Sequence, residues 1–312
     1  MRDIQLPLNQ TQKVRLQRAL QQLESLYGNV HSGNSVTVAD TIPVNYDDGV
    51  LRGHGTMDRD GQVVATLCGV VERVNKLVYV RTLRARYKPE VGDIIVGRVV
   101  EVAPKRWKLE INCNQDAQLM LSSMNLPDGI QRRRTAVDEL NMRSIFVEND
   151  VVCAEVRNCP NEGGVQLQAR SQKYGKLEKG QLLTVPPYLV KRQKQHFHHL
   201  EQDGVDLILG CNGFIWVGEH VEARDSMIVD QVNNAPGETS LETRQKICQI
   251  ANAIRVLSTL GFNLNLEVIL ETVNLSTKLN LPINEMLGSE FHVLVAEREA
   301  ERRSSKNTKR KG

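Results

Sequence analysis

Apolar and polar residues alternate along much of the first half of the chain, which is the pattern of β-strands with one buried face. Runs rich in β-branched residues at 36–38, 63–67 and 77–80 are separated by segments that contain Asp, Asn and Gly. β-Branched residues favour strands, whereas Asp, Asn and Gly favour turns. Residues 10–26 instead carry leucines at the spacing of one helix face. We therefore predict an N-terminal domain over 1–87, a helix followed by a small β unit.

Five short apolar runs and one long connection mark the segment 88–172. Several of the runs alternate between apolar and polar positions, as strands on a barrel do. Residues 122–149 connect the third run to the fourth. The segment 162–164, which contains two glycines, supplies a turn before the fifth run. Five short strands with one long connection predict a five-stranded barrel of the OB-fold type. The runs are 94–102, 107–111, 119–121, 150–156 and 165–170.

Strand and helix patterns mix over 173–295, which is typical of an α+β domain. A strand pattern and a Pro-Pro pair precede a basic stretch at 188–200, for which we predict a helix. Apolar residues at helical spacing predict another helix at 241–260. Residues 296–312 are rich in Glu, Arg, Lys and Ser, and we predict a basic disordered tail there. The fold class is thus mixed β and α+β, with a KH-like third domain.

A GxNG tetrapeptide, Gly210, Cys211, Asn212 and Gly213, lies between two short apolar runs. Glycines on both sides would let backbone N–H groups approach a nucleic-acid backbone, as in the GXXG loop of KH modules. Asn-Gly between apolar strands is also a frequent two-residue hairpin turn, because both residues tolerate a positive φ. The tetrapeptide alone leaves both interpretations open.

Composition narrows the classes of function. Of the 312 residues, 40% are hydrophobic and 25% are charged, which is typical of a globular protein, and the formal net charge is only +3. Aromatic residues make up 4%, too few for a surface built from many base-stacking platforms. No run approaches the roughly 18 apolar residues of a membrane-spanning helix. A nucleic-acid site would therefore depend on local clusters of cations.

Three basic clusters supply candidate RNA contacts, because Lys and Arg neutralise phosphates and release counterions. Trp107 lies within the first cluster and is a candidate for stacking on a base. The alternative is that each cluster is a solvated surface or binds an acidic neighbour. The clusters are Lys105, Arg106, Trp107 and Lys108; Arg132, Arg133 and Arg134 with nearby Arg143; and Lys191, Arg192 and Lys194.

Catalytic candidates are few. The pairs Asp47/Asp48 and Asp58/Asp60 could hold Mg²⁺ in a nuclease, but both lie in contexts where Asp is expected as a turn residue. The sequence contains no GxSxG, P-loop or HExxH motif. We assign no catalytic residue and no cofactor, and a divalent-metal ribonuclease remains the weakest of the hypotheses.

The sequence likewise contains no strong metal-binding pattern. His198 and His199 would point apart on the helix predicted at 188–200, and no Cys is near them or His196 in sequence, so we assign no metal ligands. The six cysteines form no CxxC pair, and most lie in apolar runs. We therefore expect reduced core thiols in a nuclear or cytosolic protein.

The order of these units resembles the cap subunits of the RNA exosome, which combine an N-terminal β domain, an S1-type OB barrel and a KH-like domain. The closest type is ribosomal-RNA-processing protein four, and the sister cap subunit of the processing protein forty type is the nearest alternative. The resemblance covers roughly residues 35–220 in order. The stretches that carry it are 51–56, 71–77, 91–98, 121–127 with 132–134, 170–177, 189–194 and the GxNG tetrapeptide.

This resemblance implies a noncatalytic subunit that docks on a ring of RNase PH-like proteins beside other cap subunits. Such a subunit helps to pass single-stranded RNA, 3′ end first, toward an associated 3′-to-5′ exoribonuclease, including during rRNA maturation. The implied ring contact includes Arg52, Gly53, His54 and Gly55, and the three basic clusters become RNA-guiding candidates. The implied location is the nucleus and nucleolus, and also the cytoplasm, with no membrane. A free-standing S1/KH RNA-binding protein is the competing hypothesis.

Overall fold

The computed structural model of the chain describes residues 7–31, 35–44, 49–74, 76–82, 86–125, 133–160, 164–171, 173–193, 195–201, 203–220 and 239–311. These residues fall into two compact units. One unit comprises 86–291, and the other comprises 5–85 together with 292–312.

The N-terminal β domain is a small twisted sheet with a hairpin beside it. The four-stranded sheet has the order β1-β5-β6-β2, and β3 pairs with β4. Its core consists of aliphatic side chains such as Ile42, Val71 and Val80, all nearly inaccessible. The elements are α1 (Gln10–His31), β1 (Ser35–Val36), β2 (Leu51–Arg52), β3 (Thr56–Arg59), β4 (Gln62–Ala65), β5 (Gly69–Val74) and β6 (Leu77–Thr82).

The C-terminal segment corrects one prediction. We expected disorder over 296–312, but the last helix, α6, spans Ser289–Lys311. Glu299 is only 4% exposed and accepts hydrogen bonds from Arg302 and Arg303, three and four residues later. Opposite charges at that spacing stabilise a helix. Arg15 of α1 also donates to both carboxylate oxygens of Glu297, from Nε at 2.8 Å and from Nη2 at 2.7 Å.

The predicted five-stranded barrel is confirmed. Its strand order is β11-β9-β8-β7-β10, and β10 pairs with β11 to close it. β9 and β11 are parallel, as an OB-type closure requires, and the other neighbours are antiparallel. The elements are β7 (Ile94–Ala103), β8 (Arg106–Glu110), β9 (Ala117–Met124), α2 (Ala136–Leu140), α3 (Met142–Ile145), β10 (Val151–Asn158), β11 (Gln166–Ala169) and β12 (Gly175–Leu177), which extends the sheet beside β10.

The KH-like domain is an antiparallel sheet of order β13-β16-β15-β14, and a helix packs on it. That helix, α4, confirms the prediction at 241–260, and it contacts β13, β15 and β16. The helix predicted at 188–200 is wrong: a short 3₁₀ turn, Pro187–Leu189, is followed by described residues without regular structure and then by a strand at 197–200. The elements are β13 (Gly180–Thr184), β14 (Phe197–Leu200), β15 (Val205–Leu209), β16 (Phe214–Glu219), α4 (Leu241–Leu260) and α5 (Leu266–Lys278).

The barrel and the KH-like sheet pack against each other through buried hydrophobic side chains. Val96 and Cys153 of the barrel pack with Ile208, Phe214 and Trp216 of the sheet, and all five are buried. Within the described residues, no helix is both long and apolar enough to cross a membrane.

Candidate nucleic-acid interface

The GxNG tetrapeptide forms the turn between β15 and β16, and this turn is packed against the barrel. Asn212 is completely buried, and its Nδ2 donates to the carbonyl oxygens of Val96 at 2.7 Å and Ile111 at 3.1 Å. In return, Asn112 donates through Nδ2 to the Asn212 carbonyl at 2.9 Å. A buried amide with its donors satisfied by another domain acts as a cross-domain connector. The turn presents no open loop to RNA in this conformation.

Both glycines of the turn are required by close approaches within the protein. A Cβ added at Gly210 would lie 2.4 Å from the Phe214 carbonyl oxygen. At Gly213, where φ is +83°, it would lie 2.3 Å from the Val185 carbonyl oxygen. Only glycine accommodates such contacts and this left-handed backbone without strain. Of the two interpretations of the tetrapeptide, the structure supports the hairpin.

Cys211, the remaining residue of the turn, is also held inside the protein. Its backbone N–H donates to the Ile94 carbonyl of the barrel at 2.9 Å, and its Sγ lies 3.6 Å from His196 Nε2. Burial raises the pKa of the Cys211 thiol to about 11. His196 is buried as well, and its Nδ1 lies 2.7 Å from the Leu209 carbonyl oxygen. The thiol is therefore protonated and unreactive at neutral pH.

Arg192, a predicted RNA contact, instead pairs with a carboxylate of the barrel. Its Nε and Nη2 lie 2.8 and 3.0 Å from the two oxygens of Asp93, which is 6% exposed. Tyr87 and the backbone N–H of Glu90 also donate to Asp93, at 2.7 and 3.1 Å. Burial alone would raise the pKa of Asp93, but these hydrogen bonds outweigh it and hold the pKa below its usual value. Arg192 thus joins the domains.

The structure describes only one of the other two members of the third cluster. Lys191 is exposed, and Lys194 lies outside the described residues. Asp93, next to Arg192, immediately precedes β7, whereas Lys105 lies two residues beyond its end. The two clusters therefore lie at opposite ends of β7, with the ten residues of that strand between them. The two clusters therefore do not form one local surface.

The predicted stacking role of Trp107 is wrong. The indole is completely buried in the barrel core, 5.2 Å from the Phe146 ring in an edge-to-face arrangement. Its Nε1 donates to the Phe146 carbonyl oxygen at 3.3 Å. The alternation of β8 is the reason, because position 107 lies on the same face as buried Leu109. Trp107 therefore stabilises the barrel and cannot reach a base.

The cations around Trp107 are partly neutralised by acidic neighbours. Lys108 contacts Glu101 at 2.5 Å, which lowers the pKa of that carboxyl, and Lys105 contacts Glu139 at 3.2 Å. Arg106 instead donates to the amide oxygen of Gln118 at 3.2 Å, and none of the described carboxylates lies within ion-pair distance of it. Exposed ion pairs are weak, but they reduce the local positive potential.

The second cluster also separates into different roles. Arg134 donates to the carbonyl oxygens of Leu121, at 3.1 Å, and Met124, so it fastens the long connection to β9. Arg143 pairs with Glu148 at 2.7 Å. Arg132 lies outside the described residues, and Arg133 is exposed.

Two arginines outside the three predicted clusters lie near the end of β9, one on β10 and one just after β11. Arg157 is exposed and lies 3.5 Å from the Ser123 hydroxyl, while the carbonyl of exposed Arg170 accepts from Asn125. Across the part of the chain that the structure describes, neither arginine has a carboxylate within ion-pair distance. Their sequence positions, each at the end of a strand or just beyond it, contain no cluster signal. With Arg133 they form a group that we call the β9-end arginines: Arg133, Arg157 and Arg170.

The predicted ring contact combines buried backbone with exposed side chains. The Gly53 N–H donates to the Val78 carbonyl at 2.8 Å, and the His54 carbonyl accepts from Val80 at 2.9 Å. A Cβ at Gly53 or Gly55 would come within 2.8 or 2.9 Å of a β6 side chain. The glycines are thus explained by the approach to β6. Arg52, which contacts Asp58 at 3.2 Å, and His54 leave their side chains exposed.

The carboxylates considered for a nuclease do not form a described metal site. Asp58 accepts from the Gly61 N–H at 3.1 Å, as expected of a turn residue, and also pairs with Arg52. Asp60 follows β3 with a φ of +54°, and Asp47 and Asp48 lie outside the described residues. Asp58 and Asp60 therefore have a structural explanation in the hairpin turn.

Comparison with known proteins matches both domains. The family model described as "RRP4, S1 domain" matches residues 86–158, and the one described as "KH domain" matches 180–223. The Exosome complex component RRP4 homolog of Arabidopsis thaliana is 67% identical over 320 aligned positions, which cover 99% of each chain. The chain belongs to the RRP4 family. Exosome complex component RRP4 of Mus musculus is 45% identical over 79% of this chain and 83% of its own.

The RRP4 family assignment extends to yeast and favours one of the two cap-subunit types. Exosome complex component RRP4 of Saccharomyces cerevisiae is 38% identical, and the alignment covers 67% of each chain. These names agree with the processing protein four type and not with the sister type. The matched RRP4 S1 segment contains Asp93, and the matched KH segment contains Arg192 and Asn212. The described contacts therefore join the two matched domains.

Proposed function

We propose that this chain is an RNA-binding cap subunit of an exosome, where it docks on a ring of RNase PH-like proteins beside other cap subunits. There it guides single-stranded RNA toward an associated 3′-to-5′ exoribonuclease, during decay and rRNA maturation. We place it in the nucleus and nucleolus, and also in the cytoplasm. The observation that carries the proposal is the 67% identity to an Exosome complex component RRP4 homolog over 99% of both chains.

The RNA surface that we propose is the barrel near the end of β9, where the β9-end arginines lie. Arg133, Arg157 and Arg170 have no described carboxylate within ion-pair distance, so their charge is available to phosphates. Trp107 is buried and offers no stacking platform. Such a surface binds the RNA backbone through charge, with little dependence on sequence and strong dependence on salt. These are suitable properties for a channel that must admit many RNAs and let them move.

The proposed role is noncatalytic. The Asp58 carboxylate has a structural partner in the Gly61 N–H and another in Arg52, which argues against its use as a Mg²⁺ ligand. The purified chain, incubated with labelled RNA and Mg²⁺, should leave the RNA intact. Cleavage that disappears in an Asp58→Asn/Asp60→Asn variant would contradict the noncatalytic proposal.

Affinity purification of the tagged full chain from cells, after ultraviolet crosslinking, tests the assignment. We expect RNase PH-like subunits in near-equal amounts with the chain, and RNA crosslinked to barrel peptides. Recovery of RNA without those subunits would support the free-standing S1/KH protein instead. A matched purification of the Arg133→Gln/Arg157→Gln/Arg170→Gln variant should recover the same proteins with less crosslinked RNA.

A further inference from the structure

Three potential metal ligands converge on one face of the KH-like sheet. His199 on β14 is the cross-strand neighbour of Asp206 on β15, and His220 directly follows β16. His199 Nδ1 lies 2.7 Å from Asp206 Oδ1, and His220 Nδ1 lies 2.9 Å from Oδ2. The two imidazole rings are 3.8 Å apart at their centroids. The two rings thus pack against each other, and both Nδ1 atoms reach the same carboxylate oxygen, Asp206 Oδ1, at 2.7 and 3.0 Å.

The register of the sheet explains this convergence. Asp206 pairs with His199 on one side and with Gly218 on the other. Since side chains alternate between the faces of a strand, His220 returns to the face of Gly218 and Asp206. The His220 N–H also donates to the Gly204 carbonyl at 2.9 Å, which continues the β15–β16 ladder. Paired backbone therefore positions all three residues, and each side chain is about one-third exposed, at 37%, 33% and 35%.

We propose that His199, Asp206 and His220 bind a divalent transition-metal ion, with Zn²⁺ as the physiological candidate. One ligand atom from each residue lies within 4.8 Å of the other two. Tetrahedral Zn²⁺, with bonds of about 2.0–2.1 Å, keeps its ligand atoms about 3.3 Å apart. With Oδ1 as the carboxylate ligand, the two Nδ1–Oδ1 distances of 2.7 and 3.0 Å would each need to grow, by roughly 0.3–0.6 Å. Coordination through Nδ1 requires each neutral imidazole to carry its proton on Nε2, so that the Nδ1 lone pair is available to the metal.

The donor set determines which ions fit. Two imidazole nitrogens and one carboxylate oxygen suit Zn²⁺, Co²⁺, Ni²⁺ or Cu²⁺, whereas Mg²⁺ and Ca²⁺ prefer oxygen ligands alone. Three protein ligands leave a fourth position for water, because the cluster is partly exposed. The ion would connect β14, β15 and the chain after β16, and would stabilise the folded state that binds it.

Titration of the metal-free full chain with Co²⁺, followed by Zn²⁺ competition, tests the site. We expect one Co²⁺ per chain, a visible d–d absorption band typical of tetrahedral coordination, and its loss as Zn²⁺ displaces the cobalt. Mg²⁺ should have no effect at the same concentration. The variants His199→Gln, Asp206→Asn and His220→Gln should each weaken Co²⁺ binding at least about tenfold, as expected when one of three ligands is lost.

The control variant is His198→Phe, since His198 precedes His199 but lies on the other face of β14. It should bind Co²⁺ as tightly as the natural sequence, and circular dichroism of every variant should match. The proposal would be overturned if Co²⁺ binding were insensitive to all three ligand substitutions, or if the folded protein bound no Co²⁺. The three residues would then form only a hydrogen-bonded His-Asp-His cluster. Neither result would affect the proposed exosome role, which co-purification tests independently.

Discussion

The guanidinium of Arg192 and the carboxylate of Asp93 form a two-point ion pair between the KH-like domain and the barrel, at 2.8 and 3.0 Å. Asn212, at the centre of the GxNG turn, makes a second connection to barrel carbonyl oxygens. A cationic residue and a glycine-bracketed loop, both typical of RNA recognition, therefore serve here to join two domains. This is the reason that the RNA surface we propose lies elsewhere, at the β9-end arginines.

Replacing Arg192 should destabilise the unit that contains both domains. In Arg192→Gln, the buried Asp93 carboxylate keeps only Tyr87 and a backbone N–H as donors. Since the Arg192 side chain is itself half-exposed, we expect the free energy of unfolding to fall by about 1–3 kcal/mol rather than by the full cost of a buried charge. Urea denaturation of the full chain measures it. Exposed Lys191 is the control, and Lys191→Gln should change stability by less than about 0.5 kcal/mol.

The same ion pair predicts an acid limit to stability. The folded-state pKa of Asp93 is held below that of an unfolded Asp, which is about 3.9. The stabilisation is therefore complete above about pH 4 and is lost as the pH falls through the lowered folded-state pKa. In Arg192→Gln the effect of burial is less opposed, so the pKa of Asp93 should rise. Acid unfolding of Arg192→Gln, monitored by circular dichroism, should then begin at higher pH than that of the natural sequence. Between Asp93→Asn and the double variant Asp93→Asn/Arg192→Gln, the pH at which unfolding begins should not differ.

Cysteine reactivity should report opening of the contact between the barrel and the KH-like domain. Cys68 and Cys248 are exposed, whereas Cys211 is buried with a pKa of about 11. At pH 8 only about one Cys211 thiol in a thousand is ionised, so iodoacetamide should label the exposed pair first. Asn212→Ala removes the amide that binds the barrel and should accelerate labelling of Cys211. Peptide mass spectrometry measures each site, and unchanged Cys211 protection in this variant would contradict a connector role for Asn212.

Most strands and the helix α4 follow from local pattern, although the helix expected at 188–200 and the disorder expected at 296–312 were wrong. The contacts between distant elements were not predicted. Asn212-Gly213 is a hairpin turn for local backbone reasons, and the structure forms it. The partners of Asn212, however, lie about a hundred residues earlier, at Val96 and Ile111. No periodicity within either segment encodes that pairing. Arg192 and Asp93 illustrate the same limit, because two charged residues far apart in sequence look independently solvated.

Two errors came from local signals that were present but given too little weight. Strict alternation in β8 places Trp107 on the face of Leu109, which is the core face. The neighbouring lysines and arginine suggested an RNA contact, although the alternation of β8 indicated a buried side chain. In the C-terminal segment, Glu299 precedes Arg302 and Arg303 at helical spacing, although the composition resembles that of a disordered tail. In both cases the spacing of residues was more informative than their composition.

Trp107 should affect stability and not RNA binding. Trp107→Phe leaves the Phe146 carbonyl without its indole donor and leaves a small cavity, so the free energy of unfolding should fall by about 1–3 kcal/mol. RNA affinity of the folded variant, measured by fluorescence anisotropy with a single-stranded oligonucleotide, should stay within about twofold of the natural sequence. A large loss of affinity with retained fold would mean that the indole leaves the core to contact RNA.

The location of cations, rather than their number, should control RNA binding. The Arg133→Gln/Arg157→Gln/Arg170→Gln variant removes three charges that lack described acidic partners. The control triple Arg98→Gln/Lys108→Gln/Arg143→Gln removes three charges that pair with Glu110, Glu101 and Glu148. Both variants have the same net charge. In anisotropy titrations over a range of KCl, only the first should lose affinity, and its plot of log K against log[KCl] should flatten by about two units, since each phosphate contact with single-stranded RNA contributes roughly 0.7. Equal losses in both variants would show that affinity follows net charge and that the β9 end is not the RNA surface.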